Sequence, residues 1–135
     1  MADPALITPA HLARLVGRSL DAGDTETANR LIPDAISRVA GAARLPGLPN
    51  SFTMVPPSTG DSRYDTLIAT AYAWALEGRG VTPAAWMTDC APLVPEWMWD
   101  GEDATDEYRT FIRAQTPDLF LAKGLILLAR DFTTA

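Results

Sequence analysis

The sequence predicts an all-α fold, in which an N-terminal helical hairpin packs on a tryptophan-centred C-terminal bundle of short helices. Three observations support this fold class. Apolar residues recur at helical spacing from 12 to 39 and again from 64 to 75. Prolines and glycines interrupt the chain between and after these stretches, which limits the length of each helix. All of the aromatic residues follow Ser51, where the bundle is expected.

Composition is consistent with one folded domain and disfavours two kinds of partner. The chain has 135 residues, of which 47% are hydrophobic and 21% are charged, as in ordinary globular domains. Its formal net charge is −6, and the whole excess of acidic residues follows Ser51. Nucleic acids and anionic membranes attract clustered Lys and Arg, so direct binding to either is not expected.

Cysteine usage and hydropathy indicate a cytoplasmic protein. Cys90 is the only cysteine, so neither an internal disulfide nor a zinc-cysteine cluster is expected. The longest apolar run is interrupted by Lys123 and Gly124, and it is shorter than the roughly 20 residues that cross a bilayer. We therefore expect no membrane-spanning segment.

Residues 1–45 are predicted to form the helical hairpin of the single domain. Thr8 followed by proline is a typical helix start, and Gly23 suits the turn between the two helices. Asp24 or Thr25 is expected to cap the second helix. Pro33 is expected to bend or restart that helix, because proline lacks the N–H of an intrahelical hydrogen bond.

Residues 46–61 are predicted to form a linker rich in proline and glycine. Residues 62–135 are predicted to form the helical, aromatic and acidic part of the domain. Ser62 with Asp65 has the spacing of a capping box at the start of the third helix. Tyr72 and Trp74 lie off the main apolar stripe of this helix. It is therefore expected to bury more than one face.

The C-terminal part is predicted to hold two further helices. Thr105 or Asp103 is expected to cap the first, with Tyr108, Phe111 and Ile112 facing inward, and the second is expected to be short and to start after 116–117. The sequence "GLILLARDF" near the C-terminus fits either a buried helix or a short strand, because it is too short for periodicity to decide.

No pattern in the chain predicts catalysis, a metal site or a cofactor. His11 is the only histidine and is expected at the surface. The acidic stretch 100–107 lacks the spacing of a calcium loop, although Asp100 with Glu102 or Asp106 leaves a loosely held metal open. The stretch "PPSTGDSRYD" lacks the lysine and glycine spacing of a phosphate loop, and it predicts a tight turn before a helix cap.

A DNA-binding regulator is the alternative function. The stretch "LARLVGRS" resembles the opening of a helix-turn-helix motif. The residues after it, "LDAGDTETANRL", place acidic groups where such a motif presents its groove-facing side chains. The basic face that this function needs is therefore missing.

The stretch "PEWMWDGEDATDEYRTF" is the strongest indication of a binding face. Trp97 and Trp99 stand two residues apart, directly before a patch of acidic residues. We expect Trp86 and Trp97 to belong to the core and Trp99 to be exposed or half exposed. The predicted partner-binding face consists of an aromatic anchor and four carboxylates: Trp99, Glu102, Asp103, Asp106 and Glu107.

Five stretches, in order, resemble a family of actinobacterial antitoxin-like modules. They are "LDAGDTETANRL", "PPSTGDSRYDTLIA", "TPAAW", "PEWMW" and "TPDLFLAKGLIL", and together they span about residues 15 to 130. Members of this family look like antitoxins or regulators, sometimes follow a helix-turn-helix domain, and are often encoded beside a nucleotidyltransferase-like toxin. Two departures from the family pattern are expected: this sequence shows no separate DNA-binding domain, and the basic residues usual in the last motif are reduced to Lys123.

The resemblance implies a non-catalytic binding protein that neutralises or regulates a partner enzyme, such as a nucleotidyltransferase-like toxin. The acidic, aromatic C-terminal half suggests the same function independently, because it suits a cationic groove on another protein. We therefore expect an antitoxin-like module and no enzyme activity.

The charge distribution generates a prediction about DNA. The purified protein alone is expected not to shift duplex DNA in a gel at moderate salt, because it lacks a basic face that would release counterions. Tight binding that weakens steeply with added salt would contradict this prediction and support the helix-turn-helix alternative.

Overall fold

A computed structural model of the chain describes residues 6–99, 101 and 103–132. The helices are α1 Pro9–Asp21, α2 Thr25–Ala40, α3 Ser62–Gly78, α4 Ala85–Thr88, α5 Asp106–Gln115 and α6 Asp118–Leu121. Two-residue strands lie at Trp97–Met98 (β1) and Leu125–Ile126 (β2), and 3₁₀ turns lie at Asn50–Phe52 and Ala129–Phe132. The predicted all-α class is confirmed, with an N-terminal hairpin on an aromatic C-terminal bundle.

The α1–α2 hairpin starts and turns at the residues that the sequence indicates. The Thr8 hydroxyl accepts the backbone N–H of His11 at 3.2 Å, and the Asp24 carboxylate accepts that of Thr27 at 3.0 Å. Gly23 has a φ of +73° in the turn, a conformation that glycine adopts without steric cost. These contacts confirm Thr8 and Asp24 as helix caps.

Helix α2 continues through Pro33, so of the two outcomes expected at this residue, a bend or a restart, the restart does not occur. Internal proline costs a helix about 3 kcal/mol. Five apolar side chains of α2 are fully buried, and burial of each Ile or Val among them contributes about 1.5–3 kcal/mol. They are Ala28, Ile32, Ala35, Ile36 and Val39. Packing of this stripe therefore outweighs the lost hydrogen bond.

Helix α3 is the central element, and it buries more than one face as predicted. Every residue from Thr66 to Ala73 is buried, so the helix is surrounded rather than amphipathic. The Tyr72 hydroxyl donates to the carbonyl of Ile7 at 2.7 Å, and burial raises the pKa of this phenol well above its ordinary value. Tyr72 thereby ties α3 to the chain just before α1.

The turn before α3 differs from the predicted capping box. Asp61, not Ser62, caps α3, and its carboxylate accepts the N–H of Arg63 at 2.9 Å. Asp65 instead accepts hydrogen bonds from the Ser58 hydroxyl at 2.6 Å and from the Thr59 N–H at 2.8 Å. Asp65 therefore holds the preceding turn against α3.

The C-terminal part is organised by the parallel pair of β1 and β2, so the ambiguous segment near the C-terminus forms a short strand. Trp97 pairs with Leu125, and Met98 pairs with Ile126. The side chains of Trp97 and Leu125 join the main core, whereas Met98 and Ile126 pack with Ile112 of α5 in a small second cluster. Alternation along the strands separates these two clusters.

Two cationic side chains satisfy backbone carbonyls. The Arg79 guanidinium, at the C-terminal end of α3, donates to the carbonyl of Ala40 at 3.0 Å and to that of Ala42. Lys123 Nζ donates to the carbonyl of Thr88 at 2.7 Å and to that of Cys90. Arg79 thus provides hydrogen-bond donors for carbonyls at the C-terminal end of α2. Lys123 does the same for carbonyls at and after the end of α4.

Within the described part of the chain, no helix has both the length and the apolar character required to cross a membrane.

Replacing Arg79 is expected to destabilise the protein. Arg79→Met removes the donor to the carbonyls of Ala40 and Ala42 and should lower the free energy of unfolding by about 1–3 kcal/mol. Arg14→Met is the matched control, because Arg14 is exposed on α1, and it should change stability by less than about 0.5 kcal/mol. Urea denaturation measures both values, and equal effects would contradict the role assigned to Arg79.

Candidate functional site

The two tryptophans that precede the acidic stretch both point into the main core. β1 is extended, and the N–H groups of Trp97 and Trp99 donate to the carbonyls of Gly124 at 2.8 Å and Ile126 at 3.2 Å. Alternate residues of an extended segment share one face. Trp97 is 8% exposed and Trp99 is 6% exposed. The prediction that Trp97 is buried is confirmed, and the prediction that Trp99 is exposed or half exposed is wrong.

Trp99 is held in the core by a stacked ring and a hydrogen bond. Its ring lies parallel to that of Phe132, with ring centroids 5.3 Å apart and an interplanar angle of 8°. Its Nε1 donates to Oδ1 of Asn29 at 2.9 Å. The side chain is therefore fixed by contacts within the chain, so it is not available as an exposed anchor.

Asn29 joins three elements through a single oxygen atom. Its Oδ1 also accepts the hydroxyl of Tyr64 at 2.7 Å, which links α2, α3 and the segment after β1. Tyr64 meets the ring of Trp97 edge-on, with centroids 5.1 Å apart, and the Arg63 guanidinium lies 5.1 Å above that ring. Motif periodicity gave no signal for this role of Asn29, because the residue is neither apolar nor charged.

Trp86 is only partly buried, so the prediction that it belongs to the core holds only in part. Its Nε1 donates to the carbonyl of Phe52 at 2.8 Å, which connects α4 to the 3₁₀ turn of the linker. The indole therefore has a fixed position while part of its surface remains open.

The predicted carboxylates that the structure describes are exposed around the start of α5. Asp103 precedes the helix, and Asp106 and Glu107 occupy its first turn. Thr105 caps the helix by accepting the N–H of Tyr108 at 3.2 Å. Acidic residues stabilise a helix N-terminus, so this placement has a structural reason as well. Asp100 and Glu102 lie outside the described residues.

Tyr108 and Phe111 are the exposed aromatic residues beside these acids. Tyr108 is 50% exposed and Phe111 is 59% exposed, whereas Ile112 is buried. The prediction that both rings face inward is therefore wrong. The reason is that α5 covers only the small second cluster, while Trp97 and Trp99 already fill the main core beneath it.

Two cavities flank α5 and share the residues Asn29 and Tyr108 in their walls. The larger, of about 500 Å³, lies toward the N-terminal ends of α2 and α3. The smaller, of about 340 Å³, lies toward Ile112 and the C-terminal segment. The exposed ring of Tyr108 consequently stands between two depressions, and this gives the surface relief that a protein partner could engage.

Ion pairs around this surface leave the carboxylates of α5 uncompensated. The Arg113 guanidinium lies 3.1 Å from Glu96, which raises its pKa, and that of Arg63 lies 2.9 Å from Asp61, which lowers the pKa of the carboxyl. Among the described carboxylates on and directly before α5, none forms an ion pair: Asp103, Asp106 and Glu107. We name Asp103, Asp106, Glu107, Tyr108 and Phe111 the α5 face.

Comparison with known proteins gives no assignment, since no family model, curated protein or solved structure matches the chain. The motifs quoted for the resemblance have structural roles in this fold. Asp24 caps a helix, Asp65 holds a turn, Trp97 packs in the core and Lys123 binds carbonyls. None of these four residues belongs to the α5 face.

Alanine substitutions of Trp99 and Phe111 are expected to have different effects on the free energy of unfolding. Trp99→Ala removes a buried ring and leaves a cavity, which should lower the free energy of unfolding by about 3–5 kcal/mol. Phe111→Ala removes an exposed ring and should change it by no more than about 0.5 kcal/mol. Chemical denaturation followed by circular dichroism measures both. A tolerated Trp99→Ala would contradict the placement of this ring.

Proposed function

We propose that this chain is a non-catalytic, antitoxin-like binding module, and that its α5 face binds a cationic surface of a partner protein. One observation carries the proposal: two exposed aromatic rings and three unpaired carboxylates lie on and beside one helix. The aromatic anchor, which the sequence assigned to Trp99, passes to Tyr108 and Phe111, because the ring of Trp99 is buried.

The chemistry of the α5 face supports a protein partner. Tyr108 and Phe111 are three residues apart on the helix, and their ring centroids are 6.4 Å apart, so they form one contiguous apolar patch. Aromatic residues that become fully buried in a complex contribute much of its affinity, and a surrounding rim of charge increases the association rate. The carboxylates at the start of α5 supply such a rim.

The charge of the face favours a particular class of partner. An enzyme that transfers nucleotidyl groups must bind phosphates, and proteins do this with Arg and Lys side chains. An acidic face complements such a cationic site and would neutralise the enzyme by covering it. This argument agrees with the resemblance to antitoxin-like modules that are encoded beside nucleotidyltransferase-like toxins.

The proposal predicts that a nucleotidyltransferase-like enzyme is encoded beside this chain, and binding measurements with that enzyme test it. Phe111→Ala is expected to weaken the complex by about 2 kcal/mol, or roughly 30-fold in dissociation constant, because it removes an interface anchor. Val94→Ala is the control, since Val94 is 92% exposed and lies outside the α5 face. Isothermal titration calorimetry measures the affinities, and an assay of nucleotide transfer measures neutralisation.

A charge reversal distinguishes the effect of the carboxylates on the association rate from the effect of the aromatic rings on affinity. Glu107→Lys is expected to slow association while leaving dissociation nearly unchanged, and the difference from the unsubstituted chain should shrink as salt rises. Stopped-flow mixing at two ionic strengths measures this. The proposal fails if the enzyme does not bind the chain, or if it binds the α5 variants and the unsubstituted chain equally well.

A further inference from the structure

We propose that a second site, distinct from the α5 face, binds a primary ammonium or guanidinium group carried on an apolar stem. The site is a cavity of about 300 Å³ between α1, the end of the linker, α3 and α4. Its walls include Val55, Pro56 and Trp86, and Asp65 is among the residues that line it. This inference does not depend on the proposed function.

The walls of the cavity are mainly apolar. Ala13 comes from α1, Ile68 and Ala69 come from α3, and Pro56 and Pro57 come from the linker. Its volume lies at the lower end of the range of small-ligand pockets, about 300–1,000 Å³, so it fits one side chain or a small amine rather than a nucleotide. Val55 is 74% exposed and borders the cavity, which therefore has access to solvent.

Asp65 gives the cavity a negative charge without a counterion. It is the only charged residue among the described residues that line the cavity. Its oxygens accept hydrogen bonds from Ser58 and Thr59, and within the described part of the chain it forms no ion pair. These neutral donors fix the carboxylate in place and leave it without a cationic partner, so a cation is the ligand group that complements it.

Trp86 adds a second group that favours a cation. Its indole is held by the hydrogen bond to the carbonyl of Phe52 at 2.8 Å, so the wall that it forms is already in position before a ligand arrives. Indole rings attract ammonium and guanidinium groups, and this attraction strengthens where water is excluded. A fixed carboxylate and a fixed indole in one apolar cavity form a preorganised cation site, and the prolines and Ala69 suit the stem.

A hydrated metal ion fits this cavity poorly. Calcium takes six to eight oxygen ligands, and zinc takes several His, Cys or carboxylate ligands. Among the described residues, no group of three such side chains is positioned to hold a metal. The proposed ligand is consequently an organic cation.

Titration with small probes tests the site. The probes are n-butylammonium, n-butylguanidinium, the neutral isostere 1-butanol and the anion butyrate, and the readout is the indole N–H resonance of Trp86 in ¹⁵N-labelled protein. We expect the cations to bind about tenfold more tightly than 1-butanol, the combined effect of a partly screened ion pair and an indole contact. Butyrate should bind more weakly than 1-butanol.

Variants separate charge from shape. Asp65→Asn keeps an oxygen that can accept from Thr59 but removes the charge, so it should bring the cations to the affinity of 1-butanol. Cys90→Phe places a larger side chain in the cavity wall and should abolish binding of every probe while leaving Asp65 intact. Asp89→Asn is the control, because Asp89 is exposed beside Cys90 but does not line the cavity.

The two sources of such a cation give different results with a peptide. If the site receives a protein side chain, the tripeptide acetyl-Ala-Lys-Ala-amide binds at least as tightly as n-butylammonium. If it receives a free amine, the peptide binds more weakly than n-butylammonium. Equal affinity for n-butylammonium and 1-butanol, or unchanged cation binding by Asp65→Asn, would overturn the proposal.

Discussion

The pairing of two short strands is the constraint on which the C-terminal half depends. β1 and β2 contribute only two residues each, yet they hold the chain extended across Trp97 and Trp99. Extension places both tryptophans on one face of the chain and Met98 on the other. The main core and the small cluster beneath α5 are consequently separated by this pair of strands.

Asn29 connects the strand segment to the α1–α2 hairpin through hydrogen bonds. Tyr64 and Trp99 are large amphipathic side chains whose polar atoms need partners once the rings are buried. A single amide oxygen on α2 accepts from both, so the hairpin, α3 and the strand segment are fixed relative to one another. The position of α5, and with it the exposure of Phe111, follows from how completely the two tryptophans fill the space below.

The sequence predicts where the helices of this fold begin better than it predicts which side of each element is buried. Caps such as Thr8 and Asp24 are local, so their residue types suffice to identify them. The direction of Trp99 depends on pairing with residues more than 25 positions away, and no local pattern contains that information. Likewise, the period of α5 fits Tyr108, Phe111 or Ile112 as the buried stripe, and only the surrounding core decides among them.

Hydrogen exchange of backbone amides tests most directly whether 97–99 belongs to the core and α5 to the surface. The amides of Trp97 and Trp99 donate hydrogen bonds to the carbonyls of the buried residues Gly124 and Ile126. Helix α5, in contrast, has Ile112 as its buried residue. The two tryptophan amides should exchange as slowly as those of α3, through global unfolding, and the amides of α5 should exchange faster, through local opening. Faster exchange at Trp97 and Trp99 than along α5 would contradict this account.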